Sequence, residues 1–149
     1  MVDSILQELN PQNKDLLLVA LQKLSVHGRL DEHLLSKVAQ HFNVSPAKVY
    51  GVASFYSFIP LVSTGRYVIR ICKSISCDMA NKDEIVTAIK EYLGIDSGQT
   101  TSDKMFTLLE TNCLGWCDEA PAMIINDVPY THLTNEKVIA ILTKLKEEQ

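Results

Sequence analysis

Apolar residues recur in two rhythms along this chain of 149 residues. The first 60 residues follow the helical one. Within residues 13–27, Leu16, Leu17, Val19, Ala20, Leu21 and Leu24 fall at helical spacings, and Gly28 supplies a stop. A second helix is expected from an Asp31 N-cap to about His41, with Leu34, Leu35, Val38 and Ala39 as one buried stripe. Ser45-Pro46 reads as an N-cap followed by proline at the first helical position. The helix that follows carries Val49, Tyr50, Val52, Ala53, Phe55 and Tyr56. The aromatic run Tyr50, Phe55, Tyr56 and Phe58 is expected in the core of this helical region, the tyrosine tips at its edge.

Pro60 and Ser63-Thr64-Gly65 mark a boundary, and the rhythm changes after it. Tyr67 to Cys72 is short and β-rich and predicts a strand. Asn81 with Glu84 resembles a capping box, so a helix is expected from there to Leu93, closed by Gly94. Residues 97–104 read as polar loop, Met105 to Glu110 as a second strand, and Ala122 to Asn126 as a third. Asn126-Asp127 predicts a turn into a short strand at Val128 to Tyr130. Thr134 caps a last helix with Val138, Ile139, Ile141, Leu142 and Leu145 on its inner side. The expected class is α/β (α+β): a helical bundle over residues 1–60, then a mixed domain over residues 66–149.

Composition narrows the function. A hydrophobic share of 46% and a charged share of 21% describe a folded chain. The longest apolar run, Leu16 to Leu21, is far short of the ~18 residues a membrane span needs. MVDSILQELN shows no signal-peptide pattern, so the expected location is cytoplasmic, without direct membrane insertion. The net charge of −4 argues against nucleic acid as a partner. Residues 1–65 hold five basic and five acidic side chains, and residues 66–149 hold nine and thirteen. The excess acid therefore lies in the second half.

All four cysteines lie there too, as Cys72-x4-Cys77 and Cys113-x3-Cys117. Each pair follows an expected strand, so two loops at one sheet edge can bring four sulfurs together. Each pair can then supply two thiolates to one iron of a 2Fe–2S cluster. Structural zinc also takes four cysteines, though often with a tighter C-x2-C bite. Disulfides or free thiols are a further alternative, which the lack of a secretion signal disfavours. The plant-type ferredoxin run, a Rieske pair of histidines and C-x-x-C redox or haem motifs are all missing.

Other residues have bland readings beside the sharper ones. Gly115 allows either a tight turn or close approach of N–H groups to sulfur. Pro121 fixes the exit of that loop or only punctuates a strand. Trp116 is read as core or a partly buried surface anchor, with a shield over the site or a partner contact as the alternative. His27, His33, His41 and His132 are scattered and read as surface or ordinary core. The six glycines form no phosphate-cradling loop, and no nucleophile–base arrangement is visible.

The motifs resemble the thioredoxin-like 2Fe–2S ferredoxin family. Cys72-x4-Cys77, Cys113-Leu-Gly-Trp-Cys117-Asp-Glu-Ala-Pro121 and Met123-Ile-Ile-Asn126 carry the likeness. The stretch Ser45 to Tyr56 and Leu133-Thr-Asn-Glu-Lys-Val138 extend it over nearly the whole chain. The likeness is to small iron–sulfur subunits of NADH:quinone oxidoreductases and of related NAD-linked hydrogenases and formate dehydrogenases. It departs from the family at Lys73-Ser-Ile-Ser76, where Gly-Thr is frequent, and at Trp116, where a small residue is common. The resemblance implies a thioredoxin-like fold and one 2Fe–2S cluster on Cys72, Cys77, Cys113 and Cys117. It further implies one-electron transfer beside a flavoprotein subunit that binds FMN and NAD(P)H, among further iron–sulfur, hydrogenase or formate dehydrogenase subunits. A zinc-stabilised structural module and a thiol–disulfide oxidoreductase using Cys113 and Cys117 are the alternatives.

Overall fold

The structure is a computed structural model that describes residues 2–148. It divides into two compact units, Met1–Ser63 and Thr64–Gln149. The first holds α1 (Val2–Gln7), a 3-10 turn (Lys14–Leu16), α2 (Leu17–Ser25), α3 (Glu32–Phe42) and α4 (Pro46–Phe55). Residues 13–27 therefore form a turn and a shorter helix, not one continuous helix. Asn13 explains the break, because its side chain accepts from the Asp15 N–H and caps the turn. The Asp31 side chain accepts from Leu34 N–H and starts α3, and Asn43 ends it in the left-handed conformation. Ser45 caps α4 by accepting from Lys48 N–H.

Ala20, Leu21, Val38, Phe42, Val49 and Ala53 are fully buried at the centre of this unit. Val49 and Ala53, one turn apart, are the buried face of α4. The aromatic run is not core: Tyr50, Phe55, Tyr56 and Phe58 are all exposed, Phe55 at 79%. Small side chains at 49 and 53 fill the inner face, which turns the rings outward.

The second unit is built on a four-stranded sheet of order β2-β1-β3-β4, from β1 (Tyr67–Cys72), β2 (Phe106–Thr111), β3 (Met123–Ile125) and β4 (Val128–Tyr130). β1 and β2 run parallel, while β3 and β4 are antiparallel to their neighbours. Parallel neighbours need a long crossover, supplied here by α5 (Ile75–Met79) and α6 (Lys82–Leu93). The final helix is α7 (Asn135–Glu147), capped by the Thr134 side chain on Lys137 N–H. Ile69, Ile71, Ile89, Phe106, Leu108, Met123, Val138 and Leu142 form the core. Ile139, expected on the inner side of α7, is instead exposed.

Three local expectations are corrected. Asn81 precedes α6 in the left-handed conformation and its side chain makes no cap bond, so no capping box forms. Residues 97–104 are not loop alone, since Thr100 bridges to Thr107. Gly65 is more than a linker residue. A Cβ there would lie 2.8 Å from the Met105 carbonyl carbon, and its N–H donates to Thr107 Oγ1 at 2.6 Å. Glycine is required where backbone passes so close to backbone.

Candidate metal centre

Parallel pairing decides where the cysteines meet. Because β1 and β2 run the same way, with Cys72 opposite Thr111, both strands end at one edge of the sheet. Beyond that edge, Lys73 N–H donates to Thr111 carbonyl at 2.9 Å and Cys72 N–H to Ala122 carbonyl at 3.1 Å. The end of β1, the end of β2 and the approach to β3 are thus tied together. Cys72 ends β1, Cys77 lies on α5, Cys113 follows β2, and Cys117 opens a 3-10 turn, Cys117–Glu119. The first pair is therefore joined partly by helix and not by loop alone.

The four cysteines form no disulfide and occupy two environments: Cys72 and Cys77 are buried, Cys113 and Cys117 exposed. Cys113 Sγ and Cys117 Sγ lie 3.2 Å apart. No group of three or more His, Cys, Asp and Glu side chains gathers as a single-ion site among the described residues. The sulfurs approach two by two, which suits a rhomb of two irons with two thiolates each. The donor set fits such a cluster: soft sulfur only, in pairs, at one edge.

N–H and O–H groups converge on these sulfurs. Gly115 N–H donates to Cys113 Sγ at 3.4 Å, from a turn where Gly115 has φ +94. The Ser74 hydroxyl lies 3.1 Å from Cys72 Sγ. Burial pushes the Cys72 thiol up, but the donors from Ser74 and Leu114 outweigh it and leave its pKa below the ordinary value. Burial and the adjacent Cys72 hold Cys77 above it. The bond and charge of Cys113 hold Cys117 above it. Such a split is expected of thiols crowded together, since each disfavours the ionisation of its neighbour. Ser74 was not singled out by spacing, although a hydroxyl inside a ligand spacer is a readable signal.

The surroundings are acidic but partly neutralised. Asp78, next to Cys77, pairs with Lys82 Nζ at 2.9 Å. Glu119 Oε2 lies 3.8 Å from His132 Nδ1, and His132 N–H donates to the Glu119 carbonyl. His132 is thus brought near the second pair, which its place in the sequence does not suggest. Asp118 is exposed and Trp116 half-buried. Pro121 follows a cis peptide bond at the exit of the loop.

Comparison with known proteins agrees with this geometry. A family model described as "Thioredoxin-like [2Fe-2S] ferredoxin" matches residues 2–146. The chain is 34% identical to NADH dehydrogenase [ubiquinone] flavoprotein 2, mitochondrial, of Dictyostelium discoideum, over 99% of this chain and 61% of that protein. It is 36% identical to NADH-quinone oxidoreductase subunit 2 of Thermus thermophilus, over 80% of this chain and 66% of that one. It is 37% identical to NADP-reducing hydrogenase subunit HndA of Solidesulfovibrio fructosivorans, over 90% and 79%. The chain thus spans under two thirds of the first two relatives. Among solved structures, an NAD+-reducing [NiFe]-hydrogenase in the H2-reduced state matches with a TM-score of 0.79 and 27% identity, over 90% of this chain and 22% of that one. The chain belongs to the thioredoxin-like [2Fe-2S] ferredoxin family, with its thioredoxin-like fold and one 2Fe–2S cluster as cofactor.

Proposed function

We propose that this chain is the one-electron carrier of a multi-subunit NAD(P)-linked oxidoreductase. Cys72 and Cys77 hold one iron of the cluster, and Cys113 and Cys117 hold the other. The partner is a flavoprotein subunit that binds FMN and NAD(P)H, in an assembly of the hydrogenase, formate dehydrogenase or NADH:quinone oxidoreductase type. When bound, the cluster accepts and returns electrons singly. The single observation that carries this reading is the pairwise meeting of four free thiols at one sheet edge, outer pair exposed.

The chain's own residues prepare the rest. Buried Cys72 and Cys77 exclude water from one side, while exposed Cys113 and Cys117 leave the other open for an electron partner. Ile75 and Met79 are 75% and 82% exposed on α5, the helix that bears Cys77. They offer apolar contact beside the site. We assign residues 66–149 as the cluster domain and residues 1–60 as a docking region, with exposed Tyr50, Phe55 and Phe58 as contact residues. A reducing compartment such as the cytoplasm keeps four thiols free. No helix among the described residues is long and apolar enough to cross a membrane.

Anaerobic purification tests the ligand set. Red-brown protein with about two irons and two sulfides per chain is expected. Replacing any one of the four cysteines by alanine should lower that content. One tightly held zinc without sulfide would sink the assignment and leave the structural module standing.

A further inference from the structure

Ser74 stands at the N-cap of α5, where a serine ordinarily accepts from a backbone N–H one turn on. It makes no such bond. Its hydroxyl lies instead 3.1 Å from Cys72 Sγ. A thiolate bound to iron has lone pairs and no proton, so in the holoprotein this hydroxyl must donate. Donation draws electron density from sulfur and favours the reduced, more negative cluster.

We propose that Ser74 is a positioning residue that sets the reduction potential of the cluster through Cys72. Acids flank the ligands at Asp78, Asp118 and Glu119, and negative charge near the cluster lowers its potential. The hydroxyl works against that charge without adding any of its own. A cap bond forgone at Ser74 is the structural mark of this use. The same fact makes the test clean, since alanine at 74 removes no bond from α5.

The inference rests on the four cysteines being the ligands. Failure of that premise shows as altered iron and sulfide content, whereas failure of the inference shows as an unaltered potential. The experiment is an EPR-monitored redox titration of the purified holoprotein and of Ser74→Ala. The variant should shift the midpoint to a more negative value at unchanged iron content. Ser74→Thr keeps the hydroxyl and should restore the wild-type midpoint. Should Ser74→Ala hold no cluster, Ser74→Thr and Ser74→Val form a near-isosteric pair for the same titration. A lower midpoint for valine than for threonine supports the role. Equal midpoints in that pair, or a fully loaded Ser74→Ala protein with the wild-type midpoint, would overturn it.

Discussion

At the scale of single residues, charge and hydrogen bonding around sulfur govern the site. Of the three acids beside the ligands, Asp78 is held by Lys82 at 2.9 Å, while Asp118 is exposed. Glu119 Oε2 lies 3.8 Å from His132 Nδ1, a long contact between two partly exposed side chains. Asp118 and Glu119 are therefore the carboxylates whose charge is least offset. Changing both to their amides should raise the reduction potential, and a spectroscopic redox titration reads the shift. Raising the salt concentration should shrink the difference between variant and wild type, because exposed charges are screened. A potential unmoved at low salt would mean that solvent already screens both groups fully. The cysteine spacing made these flanking acids legible in the sequence. It could not reveal that Asp78 is neutralised, because Lys82 approaches it only through the junction of α5 and α6.

At the scale of elements, Lys82 ties together the two segments that bear ligands. It is buried, with Nζ 2.9 Å from Asp78, 3.3 Å from Asp83 and 3.8 Å from Glu110. Asp78 follows Cys77 on α5, and Glu110 lies in β2 shortly before Cys113. The hydrogen bond to Asp78 outweighs burial and lifts the Lys82 pKa above 10.5. A raised folded pKa contributes stability that is full below the unfolded value and is lost as pH climbs through the folded one. Wild-type stability in urea should therefore fall above about pH 10.5, and Lys82→Met should abolish that part of the decline. At pH 7 the variant should lose about 1–3 kcal/mol, short of a fully buried pair because its carboxylates are partly exposed. Identical alkaline profiles would deny the clamp. The helices α3, α4, α6 and α7 and all four strands were legible because apolar periodicity and turn residues agreed on them. The five-residue α5 was not, since Ile75 and Met79 are exposed and leave no inward stripe to read. The aromatic run misled for the opposite reason: rings count as core in a sequence, but Val49 and Ala53 already fill the inner face of α4.

At the scale of the whole molecule, the proposed role sets what this chain should do alone. In that role a hydride delivers two electrons and one 2Fe–2S cluster takes one, so a flavin on the partner stands between nicotinamide and cluster. The six glycines are isolated, and no G-x-G-x-x-G follows a strand. A groove of about 1050 Å³ does exist in the helical unit, lined by Arg29, Asp31, Glu32, His33 and Tyr50 among others. Two carboxylates at that groove oppose a pyrophosphate, and the Asp31 side chain already occupies the N-terminal N–H of α3. All four thiols belong to the other unit, Thr64–Gln149. The isolated holoprotein should therefore be bleached by dithionite, a strong artificial reductant, and remain oxidised with NADH. Adding the FMN-bearing subunit should restore NADH-driven reduction, with one electron taken per chain. An anaerobic absorbance titration follows both steps on one sample. Rapid bleaching by NADH before any flavoprotein is added would place a nucleotide site on this chain and remove the need for a flavin partner.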